Sequence, residues 1–188
     1  MAKGLLIILS GPSGVGKGTV RAQFFNNPEL NLAFSISMTT REKRAGETDG
    51  VDYFFVTRER FKEAIENDEL LEWTEFVGNY YGTPLANVEK LRNEGKNVLL
   101  EIEVDGANQV KKKCPDALSI FIVPPSLQEL ENRIRGRKSE PEEIVQQRLE
   151  KAGKEMGMIV DYQYVVCNDK VELAASLITE IIKAYMNN

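Results

Sequence analysis

The sequence predicts an α/β fold in which a parallel sheet is flanked by helices. Residues 5–9 form an unbroken apolar run, which is typical of a strand buried on both faces of a parallel sheet. A glycine-rich segment and the start of a helix follow this run directly. Further strand-like segments at 97–105 and 118–123 alternate with segments of helical periodicity, as in other α/β chains.

Composition narrows the class of protein. A chain of 188 residues fits one compact unit with one main core and leaves room for inserted subdomains. Its formal charge of −5 argues against a nucleic-acid coat or an anionic-membrane binder, and no apolar run approaches the length of a membrane span. Cys114 and Cys167 predict no disulfide and indicate a reducing cytoplasm. Because the chain has no histidine, its mechanism must work without an imidazole.

The first apolar run leads into a loop that predicts a phosphate cradle. Strand, glycine loop and helix together aim backbone N–H groups at an anion, and a lysine adds a mobile positive charge. The general pattern has a hydroxyl directly after Lys17, but this chain has Gly18 there and a hydroxyl only at Thr19, which leaves the protein ligands of a metal open. A ligand-free turn is the alternative. The loop residues are Gly11, Pro12, Ser13, Gly14, Val15, Gly16, Lys17, Gly18 and Thr19.

Residues from about 35 to 88 are predicted to form an inserted subdomain, because short strands and turns are too dense there for a simple crossover. Strands are expected from Phe34, over 51–56 and over 69–77, with a short helix near Phe61 and a turn at 79–83. Arg41 and Arg44 lie near hydroxyls and tyrosines, which favours an anion site over a solvated loop.

The next segment predicts an acidic edge of the core sheet. A helix is expected from the Thr83-Pro84 cap to Gly95. The strand over 97–105 places Glu101 and Glu103 on one face near its carboxyl end, where ligands bind in open α/β sheets. A role near magnesium is favoured over simple solvent exposure, because carboxylates on a core strand are costly without a cation.

The last third predicts a cationic flap between two helices. A strand over 118–123 leads to capping boxes at Ser126 and Ser139, and four cations lie within residues 133–138. Arg148 lies off the apolar stripe of the second helix. The flap favours an anion site, with a solubilising surface as the alternative. A strand over 164–167, a third capping box at Asp169 and an amphipathic helix complete the chain.

Two anion sites indicate two phosphorylated substrates, and hence phosphoryl transfer. If the acceptor is a phosphate monoester, its oxygen is already ionised and no general base is needed. Flap arginines would then stabilise the transferring group and exclude water.

These segments resemble guanylate kinase in order and spacing over essentially the whole chain. The resemblance implies a P-loop kinase core with a parallel five-stranded sheet flanked by helices, a GMP-binding insertion and a helical lid. The implied boundaries are about 1–34, 89–125 and 160–188 for the core, 35–88 for the insertion and 126–159 for the lid. The matching segments are Gly11–Thr19, Ser35–Arg41, Arg44–Glu47, Gly50–Val56, Leu71–Trp73, Gly78–Thr83 and Arg133–Arg137.

The resemblance also implies roles for single residues, with ATP and GMP as the substrates and Mg²⁺ as the cofactor. The implied catalytic residues are Lys17, Arg41, Arg133, Arg137 and Arg148. ATP would contact the loop residues and Asn168. The GMP phosphate would be held by Arg41, Arg44, Tyr53 and Tyr81. Guanine would be recognised by Ser37, Glu72 and Thr83, and Glu103 is the remaining residue of the expected GMP site. Mg²⁺ would be held mainly by phosphates and waters, with Thr19 and Glu101 as candidate protein ligands.

The chain departs from the family pattern at two places. Lys43 stands where the family usually has proline, and Glu101 and Glu103 stand where aspartates are common.

Two rival functions remain beside this interpretation. The rivals are a non-catalytic guanylate-kinase-like module that binds phosphopeptides and a kinase for another nucleoside monophosphate, such as AMP. Lys17 and the flap arginines speak against the first, and Glu72 with Ser37 speaks against the second. GMP phosphorylation, with dGMP as a second acceptor, is expected, with no nucleic-acid, membrane or obligate protein partner.

Overall fold

The computed structural model describes residues 2–76, 78–136 and 141–187. These residues divide into two compact units. The first unit contains the chain up to Leu6 with residues 33–100 and 105–117, and the second contains residues 7–32, 101–104 and the chain from Leu118 onward. Neither unit is a continuous segment, because the chain passes between them several times.

The described residues form nine β-strands in two sheets. The larger sheet is parallel, and Ile7 lies opposite Leu118 while Ile120 lies opposite Tyr164. The five-stranded parallel sheet is therefore confirmed. In chain order the strands are β1 (Leu6–Ser10), β2 (Leu32–Phe34), β3 (Met38–Thr39), β4 (Phe54–Phe55), β5 (Leu70–Phe76), β6 (Asn79–Pro84), β7 (Asn97–Glu101), β8 (Leu118–Val123) and β9 (Tyr164–Cys167). The larger sheet has the order β2-β7-β1-β8-β9, and the smaller has the order β4-β3-β6-β5.

Seven α-helices lie within the described residues, and most were expected from apolar periodicity. Val145 and Ala152, from the predicted stripe, are buried. The cap at Ser126 is confirmed, because its hydroxyl accepts the Glu129 N–H at 3.0 Å. The predicted cap at Ser139 lies outside the described residues. The helices are α1 (Lys17–Phe24), α2 (Arg58–Glu66), α3 (Leu85–Asn93), α4 (Val104–Lys113), α5 (Leu127–Arg135), α6 (Glu142–Met156) and α7 (Val171–Met186).

The smaller sheet belongs to the first unit and has its own apolar core. Met38, Phe61, Ala64 and Leu70 are buried together, so α2 packs on this sheet. The ring of Phe61 stacks on that of Tyr80 with centroids 5.4 Å apart. This local core fixes β5 and β6 in antiparallel register.

The predicted turn at residues 79–83 is wrong. These residues belong to β6, where Asn79 lies opposite Phe76 and Thr83 lies opposite Glu72. Two tyrosines and a threonine suit a pleated strand, and they outweigh the turn propensity of the neighbouring asparagine and glycine. The chain reverses beside Gly78, whose φ of +71° lies in the left-handed region.

Two predicted caps and one strand boundary are also wrong. Pro84 precedes α3, and the Thr83 hydroxyl donates to Glu72 instead of capping that helix. Asp169 does not cap α7, which begins after Lys170 without a side-chain cap. The strand that was expected to reach residue 105 ends at Glu101. Glu103 therefore lies in the short segment between β7 and α4.

Both cysteines, Cys114 and Cys167, are free thiols. Among the helices that the structure describes, none is long and apolar enough to cross a membrane.

Arg92 is a buried cation that stabilises the first unit. It is 5% exposed, its Nε donates to the Gly4 carbonyl at 2.8 Å, and its Nη2 lies 2.7 Å from an Asp116 oxygen. Arg92→Leu removes both donors, so we expect the free energy of unfolding to fall by about 2 kcal/mol. Urea unfolding measures this change. Lys90→Leu, at an exposed position of the same helix, is the control and should stay within about 0.5 kcal/mol. Equal effects would contradict the assigned role.

Candidate active site

The glycine loop connects β1 to α1 with the backbone that a phosphate cradle requires. Gly14 and Gly16 have φ values of +85° and +93°, which favour glycine. A Cβ on Gly14 would lie 2.7 Å from Ile134, and one on Gly16 would lie 2.8 Å from the Asn168 amide nitrogen. Helix α1 begins at Lys17, so its unpaired N–H groups face the loop. Both glycines are therefore required by conformation and by space.

A cavity of about 430 Å³ opens beside this loop within the second unit. Its walls are formed by backbone N–H and carbonyl groups together with cationic and acidic side chains. Such a volume and lining suit a phosphorylated ligand better than an apolar one. The lining residues are Gly11, Ser13, Gly14, Gly16, Lys17, Gly18, Thr19, Glu101, Ile102, Glu103, Arg148 and Glu155.

Lys17 places its ammonium against the backbone of the loop. Its Nζ donates to the Gly11 carbonyl at 2.6 Å and to the Pro12 carbonyl at 3.4 Å. Burial lowers the pKa of Lys17, and the nearby carboxylates of Glu155 and Glu101 oppose that shift. This position beside the loop N–H groups suits a cation that binds a phosphate oxygen.

The two carboxylates predicted at the sheet edge both line the cavity, and each contacts a cation. A Glu101 oxygen lies 2.8 Å from Arg21 Nε, and a Glu103 oxygen accepts from Lys151 Nζ at 2.6 Å. Among the described residues, no group of three or more acidic or cysteine side chains is arranged to hold a metal ion. Thr19 and Glu101 offer the hard oxygen donors that Mg²⁺ prefers, and this fits a metal bound mostly by water and substrate.

Two of the three lid arginines with an expected catalytic role contact the loop directly. Arg148 Nη2 donates to the Ser13 hydroxyl at 2.9 Å. Arg133 donates to the Asn168 carbonyl at 3.2 Å and to the Val15 carbonyl at 3.4 Å. The structure therefore brings Arg133 and Arg148 to the loop. Arg137, the third, lies outside the described residues.

Asn168 is buried behind the loop. Its Nδ2 donates to the Val15 carbonyl at 2.8 Å, and its Oδ1 is buried without a hydrogen-bond partner in the part of the chain that the structure describes. The amide thus supports the loop through one atom. The other atom is an acceptor that a ligand amine could satisfy.

In the first unit, Arg41 is held by a carboxylate that the sequence had not singled out for a role. Its two terminal nitrogens donate to the Glu47 oxygens at 2.7 and 3.1 Å, and Glu47 also accepts the Arg44 N–H at 2.8 Å. The hydrogen bond from Arg41 lowers the pKa of Glu47. The guanidinium lies 5.4 Å from the ring centre of Tyr53, which meets Tyr81 edge-on at 6.3 Å. These contacts bring the predicted phosphate-binding residues together.

Glu72 and Thr83 form a buried polar pair across β5 and β6. They are 7% and 2% exposed, and the Thr83 hydroxyl donates to Glu72 Oε1 at 2.5 Å. Gly106 permits the carboxylate to lie there, because a Cβ would be 2.8 Å from Glu72 Oε2. Ser37 directly precedes β3, whose Met38 lies opposite Gly82. Two of the three predicted guanine-binding residues therefore lie in the smaller sheet, and Ser37 lies directly before one of its strands.

Glu155 is a second residue that the sequence did not reveal, because it flanks the apolar stripe of α6. It is 7% exposed and lines the cavity, and one of its oxygens is buried without a hydrogen-bond partner among the described residues. Burial raises the pKa of Glu155 above its usual range. A buried carboxylate beside the glycine loop is a candidate for a functional role.

This raised pKa predicts a pH-dependent effect of Glu155→Gln on stability. Because the folded-state pKa is raised, protonated Glu155 contributes to the free energy of unfolding. This contribution is complete below about pH 4.3 and is lost as pH rises through the folded-state pKa. Glutamine does not titrate, so the free energy of unfolding of Glu155→Gln should rise relative to that of the wild type as pH rises above that point. Urea unfolding from pH 4 to 8 measures the difference. A difference that is independent of pH, or matched by exposed Glu150→Gln, would contradict this prediction.

Comparisons with known proteins identify close relatives. A family model described as guanylate kinase matches residues 3–185. The chain is 58% identical over 180 residues to a guanylate kinase of Bacillus anthracis, covering 96% of this chain and 88% of that protein. It is 55% identical over 182 residues to a guanylate kinase of Lactococcus lactis, covering 97% and 88%.

Solved structures support the same likeness. A crystal structure of guanylate kinase from Anaplasma phagocytophilum matches with a TM-score of 0.73 and 35% identity, covering 98% of this chain and 87% of that one. A shikimate kinase from Bacteroides thetaiotaomicron matches with a TM-score of 0.52 at 16% identity, covering 95% and 98%, which shows a shared fold alone.

Proposed function

This chain belongs to the guanylate kinase family and catalyses ATP-dependent phosphorylation of GMP to GDP, and we propose that its two units each bind one of the nucleotides. The cavity at the glycine loop would bind ATP, and the smaller sheet would bind GMP. The buried Glu72–Thr83 pair supports this proposal most directly, because a carboxylate beside a hydroxyl is complementary to the adjacent N–H donors of guanine.

On the ATP side, the chain supplies positive charge and backbone donors. The loop N–H groups would bind the donor phosphates, and Lys17 would move from the loop carbonyls to a phosphate oxygen. Arg148 and Arg133 already contact the loop and would stabilise the charge of the transferring group. For Arg137 we propose the same role, stabilising the charge of the transferring group, on the basis of the sequence alone. The Asn168 Oδ1 would accept from the adenine amine.

Mg²⁺ supplies charge neutralisation to the phosphates when it is bound. Thr19 and Glu101 are the residues that would hold it, and phosphate oxygens and waters would complete its shell. Gly18 has no side-chain oxygen, so the metal would take most of its ligands from the nucleotide phosphates and from water.

On the GMP side, cations and hydroxyls would orient the acceptor. Arg41 and Arg44 would hold the monophosphate with the hydroxyls of Tyr53 and Tyr81, and Glu47 keeps Arg41 in place. The acceptor oxygen is ionised at neutral pH, so the chain needs only to position it in line with the donor. Glu103 stays a proposed contact of GMP, although it lines the cavity at the glycine loop and accepts from Lys151.

Guanine recognition would rest on complementary hydrogen bonds. The Watson–Crick edge of guanine offers adjacent N1–H and N2–H₂ donors, which one carboxylate can accept together. Thr83 and Ser37 would supply the remaining polar contacts. Adenine has an acceptor at N1 and would be repelled by Glu72, so AMP should be a poor substrate. The 2′-hydroxyl takes no part in these contacts, so dGMP is proposed as a second acceptor.

We keep the division into core, insertion and lid that the sequence predicts as part of this proposal. Residues 35–88 would carry the GMP site and residues 126–159 the lid, with the rest forming the core. The free thiols suit a cytoplasmic location, and the formal charge of −5 gives no basis for a nucleic-acid or membrane partner. No obligate protein partner is proposed.

A coupled assay of ADP release tests the assigned acceptor. GMP, AMP, UMP and dTMP are each offered with ATP and Mg²⁺ to the purified chain. GMP should have the highest kcat/KM, by at least about 10²-fold over AMP, because AMP would leave a buried carboxylate facing an acceptor. Equal or faster turnover of AMP would reject Glu72 as the determinant of the acceptor.

A further inference from the structure

The side-chain amide of Gln109, in α4, pairs with the backbone of β5 directly beside Glu72. Strand β5 forms an edge of the smaller sheet, because its strand neighbour among the described residues is β6 alone. An edge strand presents N–H and C=O groups that no neighbouring strand pairs. Gln109 Oε1 accepts the Trp73 N–H at 3.1 Å, and its Nε2 donates to the Trp73 carbonyl at 2.9 Å. Gln109 thus takes the place of a neighbouring strand at this residue.

The pairing at Trp73 is one of three contacts that α4 makes with β5 around Glu72. Gly106 lies against the Glu72 carboxylate, since a Cβ there would be 2.8 Å from Oε2. Lys113 Nζ donates to the Leu70 carbonyl at 2.6 Å. The three contacting positions of α4 are spaced i, i+3 and i+7, so they lie on one face of the helix. This face therefore holds the backbone of β5 on both sides of Glu72, within the first unit.

Strand β5 is irregular at the point where these contacts hold it. Its pairing with β6 shifts register between Leu70 and Glu72. Such a shift disrupts the local ladder and changes the direction of a side chain. The carboxylate that follows the irregularity therefore depends on contacts from outside the sheet for its position. Helix α4 supplies them through the Leu70 carbonyl and through both peptide groups at Trp73.

We propose that Gln109 is a positioning residue that fixes β5 so that the Glu72 carboxylate meets the N–H donors of guanine. It acts through the backbone of Trp73 and makes no contact with the substrate. Recognition of a base by paired hydrogen bonds requires the carboxylate to be held within about 0.5 Å of the productive position. This inference rests on the proposed binding of guanine at Glu72.

Steady-state kinetics of Gln109→Met with GMP and with AMP tests the proposal. Methionine keeps the length of the side chain and removes both hydrogen bonds to Trp73. The value of kcat/KM for GMP should fall about tenfold, mainly through KM, because displacing a positioned group by a fraction of an ångström costs that much or more. For AMP, which cannot use Glu72 in this way, kcat/KM should stay within about twofold, as should Kd for ATP.

Gln146→Met is the matched control, because it makes the same chemical change at an exposed position of α6. Its kcat/KM for GMP should stay within about twofold of the wild type. If Gln109→Met does not fold, Gln109→Asn repeats the comparison, since its amide is one methylene too short to reach both groups of Trp73.

Combination with Glu72→Gln shows whether Gln109 acts through that carboxylate. In the Glu72→Gln background, Gln109→Met should lower kcat/KM for GMP by less than about twofold, because coupled residues give non-additive effects. A role confined to stability predicts equal losses for GMP and AMP, an unchanged preference, or a tenfold loss that persists in this background. Each of these results would overturn the proposal. If Glu72→Gln alone keeps the preference for GMP, the proposed guanine site itself is rejected.

Discussion

Lys17→Met is expected to lower kcat for GMP phosphorylation by about 10²–10³-fold, the usual effect of removing one preorganised group that stabilises charge in a transition state. The ammonium sits at the mouth of the loop, donating to the Gly11 and Pro12 carbonyls from within the cavity. Methionine keeps the length of the side chain and removes the charge. Steady-state ADP release at saturating ATP and GMP measures the loss.

Lys154→Met is the matched control for this prediction, because Lys154 is an exposed lysine of the same unit. Its kcat should stay within about twofold of the wild type, and both variants should keep the wild-type thermal midpoint. A Lys17→Met enzyme with kcat within fivefold of the wild type would show that the charge comes from another residue.

Glu72→Gln is expected to lower kcat/KM for GMP by about 10²-fold, with little change in Kd for ATP. The carbonyl oxygen of glutamine can still accept one hydrogen bond, from guanine or from Thr83. Its NH₂ group, however, faces the other of these two donors and cannot accept from it. The loss combines a hydrogen bond to a charged group with an unsatisfied buried donor, together about 3 kcal/mol, and each 1.36 kcal/mol is worth tenfold in rate.

Glu75→Gln provides the control for this second prediction. Glu75 is an exposed carboxylate three residues further along β5, so its variant changes the same charge without touching the buried pair. It should keep kcat/KM for GMP within about twofold. If Glu72→Gln retains the wild-type preference for GMP over AMP, then Glu72 does not recognise guanine.

Strands β1, β8 and β9 of the larger sheet were predictable from the sequence because their signal is local. The unbroken apolar run before the glycine loop predicts β1 within one residue of its observed bounds, and 118–123 predicts β8 without error. The loop glycines were also predictable, because Gly14 and Gly16 adopt positive φ values that other residues rarely adopt. The local order of residues therefore predicts a phosphate-binding loop, because strand, turn and helix are neighbours in the chain.

Other features depended on contacts between distant residues. The 79–83 segment has turn-like residues, and only its pairing with β5 makes it a strand. The Thr83 hydroxyl was expected to cap a helix, but a buried carboxylate on the neighbouring strand competes for it. Glu155 looks like any helical glutamate until the fold buries it against the loop. Long-range partners of this kind leave no local pattern.

Parallel titrations of GMP and ATP into the wild type, Lys17→Met and Glu72→Gln test most directly whether two separate residue sets bind the two nucleotides. Glu72→Gln should weaken GMP binding by at least about tenfold and leave the affinity for ATP within twofold. Lys17→Met should leave the affinity for GMP within twofold. If Glu72→Gln weakened ATP binding as much as GMP binding, the assignment of GMP to the smaller sheet and ATP to the glycine loop would be contradicted.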